Sequence, residues 1–123
     1  VGLGPWLARL PAGLSTVIRA EGRELARNVI ARLALARAIA GRPRLLLVDH
    51  SLDQLDPRDR ADLCNLIFDR SAPWTALVSS HARDVLLRGD RLVVLTEGRV
   101  KAEGSPAELA DHEPYLRELW KVA

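Results

Sequence analysis

Several residue types are scarce in this chain, and each scarcity removes a class of protein. Cys64 is the single cysteine. No intramolecular disulfide can form, which fits a reducing compartment. Its surroundings, "DLCNLIF", read as a buried helical position, so a small core hydrophobe is expected. Lysine occurs only at Lys101 and Lys121, so nearly all positive charge is arginine. Arginine fits phosphate and carboxylate bidentately, but scattered as it is here it reads first as solvated surface. The formal net charge is +2. That field is too weak to point to nucleic acid or an anionic membrane. No apolar run approaches the length of a bilayer span, and the first residues lack a basic-then-apolar leader pattern, so a soluble chain is expected. There is no internal repeat and no low-complexity tract. A phosphate-cradling G-x-x-x-x-G-K-[ST] loop is also missing. The opening "VGLGPW" has two glycines but neither a following lysine nor a preceding strand.

What is present is ordinary globular composition. The chain has 123 residues, 48% hydrophobic and 28% charged, enough for one domain with a core. Residues 1–20 carry Gly and Pro punctuation and predict loop with a short helix around Trp6–Leu10. From about Arg23 to Ala40 the pattern turns helical. Leu25, Val29, Arg32, Leu33, Ala36 and Ile39 recur at helical spacing, so a wide apolar arc and substantial burial are expected. Gly41 and Pro43 end the helix.

Leu45–Asp49 is a short continuous apolar run, expected to be a strand buried on both faces of a parallel sheet. Asp56 is placed to cap a second helix that has Pro57 at its first position. Leu63, Leu66 and Ile67 would form its inner face. Trp74–Ser79 reads as another buried strand, followed by a short helix near Arg83–Leu87. Arg91–Thr96 and Arg99–Glu103 flank Glu97-Gly98, a strong hairpin signal. Ser105-Pro106 opens a helix with Glu108 at the capping-box position, and Glu113–Val122 predicts a last amphipathic helix. Strands alternating with helices imply an α/β sheet with a parallel part. Ligands in such sheets sit beyond the carboxyl ends of the strands. Those ends carry Asp49-His50 and Ser79-Ser80-His81.

Three blocks in fixed order carry a family resemblance. They are "RLALARAIAGRPRLLLVD", "LDPRDRADL" and "TALVSSHARDVLLRGDRLVVLTEGRVKAEGSPAEL". Together they resemble the C-terminal half of an exporter-type ATP-binding cassette (ABC) nucleotide-binding domain, over nearly the whole chain. The resemblance implies a partial P-loop ATPase fold: a short, mostly parallel sheet flanked by helices, with a C-terminal β-hairpin. Residues 1–40 would belong to the helical signature subdomain, and 41–123 to the Walker B and C-terminal part of the RecA-like core. The Walker A half would be absent.

The resemblance assigns roles by position. Asp49 matches the Walker B acid that holds Mg²⁺, a hard cation that wants oxygen ligands. His50 stands where the family has a catalytic glutamate. His81 matches the switch histidine that contacts the terminal phosphate, and Asp56 the D-loop acid that organises the facing subunit's site. Leu25, Ala26, Arg27, Asn28 and Val29 align with the signature loop, Leu-Ser-Gly-Gly-Gln in the family. Plainer readings stand beside these: Asp49 as a solvated strand end, Asp56 as a cap, His81 as a surface residue.

Departures from the family pattern weigh on turnover. Leu25–Val29 lack the serine hydroxyl, both glycines and the glutamine. Those glycines let backbone N–H groups approach a phosphate at a helix N-terminus. His50 in neutral form can accept a proton, but it lacks the carboxylate's charge. "SLDQ" before Leu55-Asp56 also differs from the family. The implied function is a fragment of an ABC transporter subunit that couples ATP binding and hydrolysis to transport, with a weak or non-hydrolysing site. The alternative is a non-enzymatic ABC-like scaffold. A DNA-repair or chromosome-organising ATPase ranks third, because no coiled-coil segment is present. ATP and Mg²⁺ are the implied cofactors of the intact domain. This chain alone is expected to bind neither tightly and to be inactive. Implied partners are a second nucleotide-binding domain and a transmembrane domain at the cytoplasmic face of the membrane, with no nucleic acid. Loss of neighbouring strands would leave sheet edge and apolar surface open, so self-association of the fragment is expected.

Overall fold

The computed structural model describes residues 1–18 and 25–121. A short helix α1 (Gly4–Leu7), earlier than expected, and a 3₁₀ turn at Gly13–Ser15 open the chain. Helix α2 (Arg27–Ala40) follows. Its expected start near Arg23 lies outside the described residues. In the described part, Leu25 sits in a bend, Ala26 is extended with ψ of 146°, and the helix begins at Arg27.

The wide buried arc expected for α2 is not found. Only Val29 and Leu35 are buried, and Ile30 is 42% exposed. Leu35, with Ala31 and Ile39 beside it, reaches the core, while nothing among the described residues covers the remaining arc. The helix is held to its neighbour by charge. Arg32 donates to Asp59 at 2.8 Å and to Asp62 at 3.2 Å, and also to the carbonyl of Val1 at 2.8 Å.

Strand β1 (Leu45–Asp49) pairs in parallel with β2 (Thr75–Ser79), Leu45 opposite Thr75 and Asp49 opposite Ser79. Helix α3 (Pro57–Ile67) makes the crossover between them. Asp56 caps it, accepting from the N–H groups of Arg58 and Asp59 at 3.0 Å. Leu63, Cys64 and Ile67 face the core and Leu66 packs at its margin. The Cys64 thiol is pushed up by burial, as a core position requires.

The expectation that both strands are buried on both faces needs correction. Leu46, Val48, Ala76 and Val78 point into the core. Leu45, Leu47 and Leu77 point the other way and are 54%, 65% and 64% exposed. Side chains alternate across a strand, and α3 covers one face of the pair only. The uncovered face ends at Asp49 and Ser79, so the apolar strip and the polar strand ends lie on the same side.

Helix α4 (Arg83–Leu86) leads to the hairpin of β3 (Leu92–Thr96) and β4 (Arg99–Gly104). The two strands pair antiparallel, with a register shift between Val94 and Leu95. The turn is made by Glu97 and Gly98 at φ of 51° and 73°. Both central residues are left-handed, the turn type whose twist suits a hairpin. Ser105 and Glu108 form a complete capping box at the start of α5 (Pro106–His112). Helix α6 (Pro114–Leu119) closes the described chain, and its Leu116 packs with Leu92 and Val94 in a second small core. The parallel pair and the hairpin are separate two-stranded sheets. The result is α/β, with a short parallel sheet, flanking helices and a C-terminal hairpin. No helix among the described residues is long and apolar enough to cross a membrane.

Candidate functional site

The parallel register brings two loops to one edge. Because Asp49 is level with Ser79, the residues that follow each strand emerge side by side. The Ser79 hydroxyl donates to Asp49 Oδ1. The backbone N–H of His50 donates to the carbonyl of Ser79 at 3.1 Å. His50 then turns sharply, at φ of 46°. A left-handed histidine is uncommon and costs about 1–2 kcal/mol. Such strain persists where the surroundings hold it, often at functional sites.

The turn aims the His50 ring at the second loop. His50 and His81 stack with centroids 4.8 Å apart and planes 26° from parallel. Asp53 joins them. Its Oδ2 lies 3.1 Å from His50 Nδ1 and 3.6 Å from His81 Nδ1, and accepts the His81 N–H at 3.0 Å. Its Oδ1 accepts the Ser80 hydroxyl. Burial opposes the charge on Asp53, but the hydrogen bonds from Ser80, His81 and His50 outweigh it and hold the carboxyl below its usual range.

Asp49 is different in kind. Its side chain is 89% exposed, with His50 Nε2 3.9 Å from Oδ1. One carboxylate oxygen carries the Ser79 hydroxyl, and the group faces solvent on the uncovered side of the sheet. A hard oxygen donor presented in this way suits Mg²⁺. Asp56, by contrast, spends an oxygen on capping α3.

The residues expected at the signature loop lie elsewhere. Arg27 and Asn28 line a shallow cleft of about 240 Å³ together with Gln54, Leu55, Asp56 and Asp59. Arg27 donates to Gln54 at 3.4 Å, and the N–H of Val29 donates to Asn28 Oδ1 at 2.8 Å. Ala26 provides no side-chain cap, so the first N–H groups of α2 gain none from it. The structure thus sorts six of the expected residues into two places, while Leu25 and Ala26 precede α2 and Val29 is buried on it. Asp49, His50 and His81 share the strand edge, while Arg27, Asn28 and Asp56 share the cleft. Asp53 was not among the expected site residues, although it links the two histidines. Its spacing of three from His50 was the available signal, hidden because it only becomes meaningful once the chain turns at His50.

No protein-family model matches this chain. Individual proteins do. It is 35% identical over 107 residues to an ABC-type transporter of Mycosarcoma maydis, covering 87% of this chain and 8% of that protein. It is 34% identical over 114 residues to a multidrug efflux ATP-binding/permease protein of Mycobacterium tuberculosis, covering 93% of this chain and 10% of the relative. An energy-coupling factor transporter ATP-binding protein of Lactiplantibacillus plantarum is 40% identical over 90 residues, 72% of this chain and 32% of that one. The chain therefore spans less than a third of the length of each of these relatives. Among solved structures, a bacterial Atm1-family ABC exporter with ATP bound superposes with a TM-score of 0.86 at 27% identity, over 98% of this chain and 21% of the exporter. Sequence and fold agree, over nearly all of its length, that this chain belongs to the ABC transporter family and has a fold consistent with part of its nucleotide-binding domain.

Proposed function

We propose that this chain is part of the ATP-binding machinery of an ABC exporter, and that its own site hydrolyses ATP weakly or not at all. In the intact protein it would pair with a second nucleotide-binding domain and dock on a transmembrane domain at the cytoplasmic face of the membrane. Residues 1–40 would contribute to the helical signature subdomain and 41–123 to the catalytic core. The observation that carries this reading is the strand edge, where Asp49 and His81 are kept together and His50 replaces the expected glutamate between them.

Asp49 would hold Mg²⁺, and His81 would lie beside the terminal phosphate of ATP. Mg²⁺ held there would supply charge neutralisation for phosphoryl transfer. His50 is a poor substitute for a carboxylate base, because a neutral imidazole lacks the carboxylate's negative charge, and with Asp53 at its Nδ1 only Nε2 is left, 3.9 Å from Asp49. The second weakness is the Leu25–Val29 segment, where Arg27 and Asn28 put side chains in place of close backbone N–H groups. A cassette dimer builds each site from the strand edge of one subunit and the signature segment of the other, so this chain would weaken both. The uncovered strip of Leu45, Leu47 and Leu77 supports self-association of the chain when it lacks its neighbouring strands.

The test is ATPase turnover of the full-length protein, wild type against His50→Glu, with the Leu25–Val29 segment also changed to Leu-Ser-Gly-Gly-Gln. Wild-type turnover typical of an active exporter would refute the weak-site reading. No ATP binding even after restoration would favour a scaffold without nucleotide chemistry.

A further inference from the structure

We propose that His50, Asp53 and His81 form a binding site for a transition-metal dication, Zn²⁺ being the representative ion. Each of the three residues offers one ligand atom, and these atoms lie within 4.8 Å of one another. The separations suit a common ion. Asp53 Oδ2 is 3.1 Å from His50 Nδ1 and 3.6 Å from His81 Nδ1. Ligands bonded to zinc at about 2.0–2.2 Å and spread tetrahedrally stand roughly 3.3 Å apart. Small side-chain rotations would let all three reach one ion.

The donor types choose the ion. Two imidazole nitrogens and one carboxylate oxygen suit zinc and its first-row neighbours. They do not suit Mg²⁺, which takes oxygen ligands and dehydrates reluctantly. The site is therefore chemically distinct from Asp49, whose exposed carboxylate suits the harder cation.

The groups around the ligands fix their orientation. The Ser80 hydroxyl and the His81 N–H hold the Asp53 carboxylate from both oxygens, and its side chain is only 20% exposed. The outward nitrogen of His50 faces the Asp49 carboxylate at 3.9 Å. At that distance no hydrogen bond forms, so the ring is oriented instead by Asp53 at Nδ1 and by its stack on His81. The parallel register and the left-handed turn at His50 place the rings before any ion arrives. Three protein ligands at a surface, with His50 and His81 side chains 49% and 60% exposed, leave the fourth position to water or an anion. An ion held there commits both Nδ1 lone pairs and takes His50 out of proton transfer. This geometry does not depend on whether the protein hydrolyses ATP.

The experiment is a calorimetric titration of the full-length protein, stripped of metal with a chelator, with Zn²⁺ alone in excess Mg²⁺ and no nucleotide. The double variant His50→Gln/His81→Gln should bind one Zn²⁺ fewer per chain than wild type. Each single substitution, and Asp53→Asn, should weaken that ion at least about tenfold, while His112→Gln leaves it unchanged. Co²⁺ in place of Zn²⁺ should give the visible bands of a four-coordinate site, lost in the double variant. Both histidines are surface residues, so the variants should melt like wild type without metal, and this is measured alongside. Equal zinc stoichiometry in wild type and double variant overturns the proposal. So does displacement of the ion by the excess Mg²⁺.

Discussion

His50 and His81 stack face to face at 4.8 Å although 31 positions separate them in the chain. The contact exists because β1 and β2 end level with each other and because His50 adopts a left-handed backbone. In the proposed ATPase, it also ties the residue at the glutamate position to the switch position. His50→Glu should break the stack and add a second carboxylate next to Asp53, beside His81. Turnover of the full-length protein should rise by about 10²-fold or more, the usual contribution of a positioned base. Steady-state ATPase measurement checks this, and unchanged turnover would locate the defect in the Leu25–Val29 segment instead.

Arg32 and Asp59 make an acid-sensitive contact between α2 and α3. The Arg32 hydrogen bond holds the Asp59 carboxyl below its usual range against the opposing effect of burial. A carboxyl depressed on folding contributes its full stabilisation above its unfolded value of roughly 3.9, and loses it as pH falls through the lower folded value. Asp59→Asn should cost about 1–2 kcal/mol at neutral pH, between an exposed pair and a charged buried hydrogen bond. The difference from wild type should shrink below about pH 4. Urea unfolding at several pH values tests it, and a constant difference across the range would sink the assignment.

Adjacent leucines on β1 should behave oppositely. Leu46 is 3% exposed and Leu47 is 65% exposed. Leu46→Ala should cost about 2–5 kcal/mol through lost burial and a cavity. Leu47→Ala should leave the 123-residue chain within about 0.5 kcal/mol. Leu47→Ser should also lower its light scattering at high concentration, whereas scattering identical to wild type would argue against self-association through this face.

The hairpin turn makes a local prediction. Gly98, at φ of 73°, has open space where a Cβ would stand, so only backbone strain opposes a side chain there. Gly98→Ala should cost about 1–2 kcal/mol. Glu97→Asn should gain a few tenths, because asparagine tolerates the left-handed region better. Thermal melts of the two variants should therefore shift in opposite directions, and shifts of the same sign would contradict the turn geometry.

Much of this protein is written locally. The Asp56 cap, the Glu97-Gly98 turn and the Ser105/Glu108 box are each decided within four residues, and the strand and helix periods are decided within one element. Those features are legible because the hydrogen bonds and steric limits that produce them involve near neighbours. The strand pattern extended this to the shared edge that carries Asp49, His50 and His81. Tertiary structure alone decided the rest. Periodicity cannot say whether an apolar face has a partner, so the open sides of α2, β1 and β2 read as buried. Nor can it say that Asp53 would meet both histidines, because that meeting requires a parallel register, a crossover helix and one left-handed residue to agree. Burial and convergence are properties of neighbours distant in the chain, and only the folded chain supplies them.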